Sequence, residues 1–510
     1  MKKRFISGLL AVTAALPLAA TPAAQASTLI AGAVVYDGSG AAARKVAVRV
    51  DGDRIVAVGK LAPRKGEAVV QAHGLALAPG FIDSHSHHDR GDYADRTMRP
   101  LLAQGVTTIV IGQDGESDAA FADVAARYTA RPASINVASY TGHGWLRDTV
   151  LGKDFKRTAT PAEVSAMQGL LAADLKAGSL GLSTGLEYDP GIYSDHGELL
   201  SLARTTAAGG GRYISHIRSE DVAFDAALDE LLDLGKQTGV PVQVSHIKLG
   251  IVDRWGQAKA VLAKLDAARA AGIKVTADVY PYEYWHSTLT VLFPKRDFTD
   301  INAARFALTH LTTPAGMLLS VYAPEPRFAG KTIADIAAER HEEPAATYLW
   351  LIQMAESWKA AHPDGGRAEA VIGTAMSAPD VADFVAWPNS NLCSDGMIGS
   401  RHPRGSGAFA KMLRLYVREQ HRLTLSEAVR KMTSLSAEHV GIVGRGLIKP
   451  GYRADLVLFD PARITDKATV EDPAALAEGV SDVWVNGVAV LRDGQPTAAT
   501  PGRFLKRGES

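Results

Sequence analysis

Two rhythms of hydrophobic and polar residues alternate along this chain. Near the amino end the apolar runs are short and closely punctuated: residues 28–36 stop at Asp37-Gly38, residues 46–50 stop at Asp51-Gly52, and residues 55–58 follow. Runs of this length separated by tight turns predict a small β-sheet. Residues 454–460 and 483–487 repeat the style near the other end. The terminal segments, 27–78 and 446–510, are therefore expected to form one small β-sandwich, with the middle of the chain inserted between its two parts.

The middle, residues 79–445, has a longer beat. Strand-like apolar runs fall at 81–83, 107–111, 135–139, 180–183, 212–215, 240–245, 274–278 and 391–393. Helical stretches rich in Ala, Leu and charge separate most of them. Thr160-Pro161-Ala162-Glu163 reads as a capping box with proline at the first helical position, and Thr424 with Glu427 as another. Eight strands alternating with helices predict an α/β fold of the (β/α)8, TIM-like barrel type. Residues 279–390 are too many for a loop, so about 295–370 is expected to form a small helical insertion beside the barrel mouth.

Composition narrows the function. With 55 basic and 55 acidic residues and no long run of one sign, neither nucleic acid nor an anionic membrane is an expected partner. Lys2, Lys3 and Arg4, an apolar stretch to about residue 20 and Ala24-Gln25-Ala26 form the pattern of a secretory signal over residues 1–26. Export to the periplasm or beyond is the expectation, with no membrane attachment after cleavage. Cys393 is the only cysteine, so no disulfide within the chain supports the fold.

Chemistry gathers where the strand-like runs end. His85 and His87 share a face because strand side chains two apart point the same way. Asp114 follows the second run, His216 the fifth, His246 the sixth and Asp395 the eighth. The carboxyl ends of barrel strands face one mouth. Four imidazoles and two carboxylates there would hold one or two borderline divalent cations, a class that includes zinc, manganese and cobalt.

These segments resemble the N-acyl-D-amino-acid deacylase (D-aminoacylase) family of the amidohydrolase superfamily. The matching text is Gly80-Phe-Ile-Asp-Ser-His-Ser-His87, Gly181-Leu-Ser-Thr-Gly-Leu186, Ser215-His-Ile-Arg-Ser-Glu220, Ser245-His-Ile-Lys248, Asp278-Val-Tyr-Pro-Tyr282, Ser394-Asp-Gly396 and His402-Pro-Arg404. The resemblance implies a metal-dependent deacylase acting on the linear amide of a small N-acyl or N-peptidyl amino acid, preferably of D configuration. Asp395 is then the general base for a metal-held water and the acid for the departing amine. Lys248 is the best candidate for the substrate carboxylate, and Tyr188 and Tyr282 match family tyrosines near the substrate. Arg218, Arg401 and Arg404 are candidates either for that carboxylate or for pairing with nearby acids, and His143 for the developing oxyanion.

One departure stands out. The family places a cysteine after strand two, where this chain has Asp114 in Gly112-Gln-Asp-Gly115. A carboxylate can bridge two metals but is harder than thiolate, which weakens the preference for zinc. Glu187, just past strand four, is the competing bridge. Cyclic-amide hydrolases and isoaspartyl dipeptidases of the superfamily generally bridge with a carbamylated lysine at that place. Residues 178–191 contain none. A non-catalytic, exported metal-binding module is the alternative outside enzymology.

Overall fold

The structure, a computed structural model, describes residues 27–89 and 95–509. The segment expected to be a signal peptide lies outside the described residues.

Parallel strands run around the barrel in the order Phe81–Asp83, Val106–Ile111, Asn136–Ser139 continued by Thr141–Gly142, Gly181–Gly185, Arg212–His216, Val242–Val244, Val275–Val279 and Ser390–Leu392. Every residue of Val106–Ile111 is buried, as a strand covered on both faces requires. Strand eight closes on strand one through loop backbone: Asp395 N–H donates to the His85 carbonyl at 2.9 Å, and His87 N–H to that of Gly396 at 2.8 Å. Asp83 secures the seam by accepting the Ser394 N–H at 2.8 Å. The third strand breaks at Tyr140, and the carboxyl-terminal strand Phe504–Leu505 pairs parallel with Val137 and Ala138 beside the break. That last segment, expected in the sandwich, thus leaves it and braces the barrel instead.

The helix Pro161–Ala177 starts at the complete Thr160–Glu163 capping box and stops at Gly178, whose φ of 114° suits glycine. At Leu425–Met432 only half of the expected box forms. Thr424 accepts the Glu427 N–H, but Arg430 takes the Glu427 carboxylate through two hydrogen bonds.

The chain ends form the sandwich. Leu456–Phe459 pairs antiparallel with Ala76–Pro79, joining both termini in a seven-stranded sheet against a four-stranded one. Val48, Leu77, Leu456 and Trp484 belong to the core between them.

The insertion differs from its expectation. It is not purely helical: Tyr284–Ser287, Met317–Tyr322 and Glu369–Thr374 form a three-stranded antiparallel sheet, packed with helices that include Ile333–Arg340 and Pro344–Ala361. The central strand pairs with partners far back in the chain and the register slips between Leu319 and Val321, so local alternation gives little sign of a sheet.

Candidate metal centre

The strand ends at Asp83 and the chain bends at Ser84 and His85, yet His85 and His87 project together, their ring centres 5.4 Å apart. Asp114 sits between them and the sixth strand. Its Oδ1 lies 3.4 Å from Nε2 of His85 and 3.4 Å from Nε2 of His246, while Oδ2 lies 3.3 Å from Nε2 of His87. Asp395 closes the group, its Oδ1 being 3.3 Å from His87 Nε2 and 3.7 Å from His85 Nε2. One donor atom from each of His85, Asp114, His246 and Asp395 falls within 4.8 Å of the others. Two metal–ligand bonds of about 2.0–2.2 Å bring donors to nearly that spacing.

Three of these residues hold uncommon backbone: φ is 53° at Asp114, 33° at His246 and 48° at Asp395. Strain of this kind persists only where the surroundings impose it. Asp278, fully buried on strand seven, is part of what imposes it. Its Oδ1 accepts the His246 N–H at 2.5 Å and stands 3.7 Å from Nδ1 of His85. Gln243 holds its other oxygen at 2.6 Å.

His216 reaches the group by its other nitrogen. Nδ1 faces His246 Nε2 at 3.1 Å, and Nε2 bonds Glu187 at 3.0 Å. Glu187 therefore stands behind His216, and its second oxygen accepts the Glu220 N–H at 2.9 Å. Of the two candidates for a bridging carboxylate, Asp114 faces the imidazoles of strands one and six, and Glu187 does not.

The cluster calls for positive charge. Burial opposes ionisation of Asp114, yet His85 and His246 hold its carboxyl well below the usual range. Burial likewise opposes ionisation of Asp395, and Arg404 above all keeps it low. Burial and Lys248 pull His246 down, but Glu220, Asp114 and Asp395 outweigh them and raise it to about 9. Meanwhile both ring nitrogens of His85 and Oδ1 of Asp114 are buried without a hydrogen-bond partner among the described residues. Buried polar atoms left so are costly. Imidazole and carboxylate donors converging on one point suit a divalent cation, which would satisfy them together.

Above the cluster opens a cavity of about 390 Å3, bounded by His87, Asp114, Tyr188, Asp395 and Arg404 from the barrel and by His286 and Arg296 from the segment after strand seven. An adjoining recess reaches His216, Glu220, Lys248 and Tyr280. Lys248 Nζ bonds Glu220 at 2.6 Å, and the Tyr188 hydroxyl lies 3.2 Å from His216 Nδ1.

Four expected contributors stand elsewhere. His143 is fully buried at the start of the helix His143–Leu151, its Nε2 2.7 Å from Glu198, which also pairs with the buried Arg147. Tyr282 leaves the cavity because a turn at Pro281 returns its N–H to the Tyr280 carbonyl at 3.0 Å. Its ring packs on His402 and lies under Lys411. Arg218 forks onto Glu230 of the following helix at 2.9 and 3.1 Å, and Arg401 lies beside Gly330 of the insertion. Tyr280, overlooked in the sequence, takes the place given to Tyr282. Its hydroxyl has no hydrogen-bond partner among the described residues, and its ring lies 4.8 Å from the Arg404 guanidinium and 5.7 Å from Lys248 Nζ. The signal is present in the spacing: Tyr280 stands two residues beyond Asp278, one place past the end of the strand Val275–Val279, where strand alternation points it to the same side.

A (β/α)8 barrel with imidazoles and carboxylates gathered at the carboxyl mouth defines the class of metal-dependent barrel hydrolases. The chain belongs to the amidohydrolase family, whose pattern it matches over residues 68–388 and 392–491. It is 35% identical to N-acyl-D-glutamate deacylase of Alcaligenes xylosoxydans xylosoxydans, over 94% of this chain and 97% of that protein. The crystal structure of D-aminoacylase superposes with a TM-score of 0.83 at 34% identity, covering 94% of this chain and 99% of that one. N-acyl-D-glutamate deacylase from Bordetella bronchiseptica, complexed with zinc and a phosphonate mimic of the tetrahedral intermediate, does so with 0.83 at 33%, with the same coverage of both chains.

Proposed function

We propose that this protein hydrolyses the linear amide of N-acyl-D-amino acids, releasing the free amino acid and a carboxylic acid. The observation that carries the reading is the meeting of His85, Asp114, His246 and Asp395 within 4.8 Å, in a chain related along 94% of its length to a deacylase of that class.

His85, His87, Asp114, His216 and His246 would hold one or two divalent cations, zinc foremost, with Asp395 at their edge. A cation bound there supplies Lewis-acid chemistry, polarising the amide carbonyl and acidifying water. Asp395 does the proton work. Its Oδ1 faces the cluster, takes a proton from the attacking water, and returns it to the amide nitrogen as the C–N bond breaks. Arg404 keeps that carboxylate ionised and ready to accept. The substrate's own carboxylate fits the cationic recess formed by Lys248 and Arg404, with the hydroxyls of Tyr188 and Tyr280 as additional donors.

The amino-terminal pattern further supports export as part of this reading. Mass measurement of the mature protein, expected to begin at Ser27, tests it.

Paired D and L forms of N-acetyl amino acids, with acidic and neutral side chains, test the activity on zinc-loaded protein. Turnover confined to the D series is expected. Saturable zinc binding with no turnover of any substrate would favour the binding-module alternative instead.

A further inference from the structure

One oxygen of Glu220 serves two donors. Oε1 lies 2.6 Å from Nζ of Lys248 and 3.0 Å from Nδ1 of His246, and these two nitrogens are 2.7 Å apart. An ammonium only donates, whereas each nitrogen of a neutral imidazole either donates or accepts. If Lys248 donates to Nδ1, the ring hydrogen resides on Nε2. That is the atom facing Asp114 at 3.4 Å and His216 at 3.1 Å, and it then has no lone pair for a cation. If Nδ1 carries the hydrogen, Nε2 is free to coordinate, but two donors confront one another. Both hydrogens must then turn to a common acceptor, and Glu220 Oε1 is placed to accept both.

The carboxylate is itself held from outside. Glu220 N–H donates to Glu187 and its carbonyl accepts the Gly250 N–H at 2.8 Å. Glu187 in turn accepts from His216 Nε2, leaving His216 Nδ1 toward the cluster. Each of the two imidazoles is thus backed by its own carboxylate. Only His246 also has a lysine against it.

We propose that Glu220 is a positioning residue that fixes the His246 tautomer against the competing donor Lys248, so that a metal ligand and a substrate-binding cation can occupy neighbouring places. The proposal rests on the ligand role given to His246 above, but its test reads metal affinity and not turnover. Failure of the zinc-loaded protein to cleave any amide would sink the deacylase reading and leave the zinc measurement to judge Glu220 alone.

The experiment is a double-mutant cycle in zinc affinity, measured by chelator competition on metal-free full-length protein: wild type, Glu220→Gln, Lys248→Met and the double variant. Glu220→Gln is expected to weaken zinc binding about 10–100-fold, as loss of a carboxylate behind a ligating histidine does. Lys248→Met should bind about as tightly as wild type. In the double variant the competing donor is gone, so affinity should recover to within a few-fold of Lys248→Met. Wild-type affinity in Glu220→Gln, or a double variant as weak as Glu220→Gln, overturns the proposal, because a merely structural role would not be rescued by removing the lysine. If Glu220→Gln does not fold, Glu220→Asp, which withdraws the oxygen from both donors, takes its place in the same cycle. Weakened binding restored by Lys248→Met again supports the proposal, and unchanged or unrestored binding again overturns it.

Discussion

Nη1 of Arg404 lies 2.5 Å from Oδ2 of Asp395, while the other oxygen of that carboxylate points at His87. The two oxygens therefore have separate partners, one tied to a fixed cation and one directed into the cluster. Asp395→Asn keeps the shape and removes the proposed base. Proton transfer of this kind contributes about 10²–10⁴-fold to rate, so kcat should fall by that range while zinc content, measured on the same sample, stays close to wild type. A variant retaining most of its kcat would remove Asp395 from the proposed chemistry.

On the same proposal, Arg404 sets when Asp395 is available as a base. Its charge is the principal force lowering Asp395 against burial. Arg404→Met removes it, so Asp395 binds its proton more tightly and the acidic limb of kcat/KM should move to higher pH. An unmoved limb in the pH–rate profile would assign that limb to another group.

As a proposed ligand, Asp114 is expected to influence metal choice. Asp114→Cys substitutes a softer ligand, and zinc should gain on manganese and cobalt in competition binding. Stability should fall by about 1 kcal/mol, because residue 114 has φ 53°, a region aspartate tolerates better than most residues. Equal metal selectivity in the two proteins would place Asp114 outside the coordination shell.

Far from the mouth, Lys431 is buried on Leu425–Met432, its Nζ donating to the carbonyls of Trp387 and Ser390. Burial pushes its amine down to about 7. Between about pH 7 and the ordinary amine value of about 10.4, the unfolded chain holds a proton there that the folded chain does not. Stability from this site accordingly rises with pH across that window and is lost as pH falls toward 7. Urea midpoints at two pH values inside the window should differ more for wild type than for Lys431→Met. Parallel slopes would mean that the lysine is not desolvated as the fold indicates.

Much of the barrel and of the grouping of candidate ligands is legible in the sequence because both follow from spacing. Buried parallel strands read as unbroken apolar runs, and the residues that follow them inherit a common direction. His85, His87, Asp114, His216, His246 and Asp395 can be named on that ground alone. What escapes depends on contacts across long separations. The insertion's sheet pairs Val371 with Leu319 and with Ser287. The family resemblance places Tyr282 near the substrate, and only the turn at Pro281 shows that its side chain points elsewhere. Glu187 and Glu220 have ligand chemistry by type, but only the orientation of the His216 and His246 rings reveals that they stand behind those imidazoles.

The left-handed backbone at Asp114, His246 and Asp395 sets folding and catalysis against each other. Glycine at any of them would relieve the main chain of about 1 kcal/mol and delete a group the proposed chemistry needs. Variants chosen only for surviving heat should therefore drift toward glycine at these positions and come back inert, so any search for a hardier form of this molecule has to score turnover alongside melting.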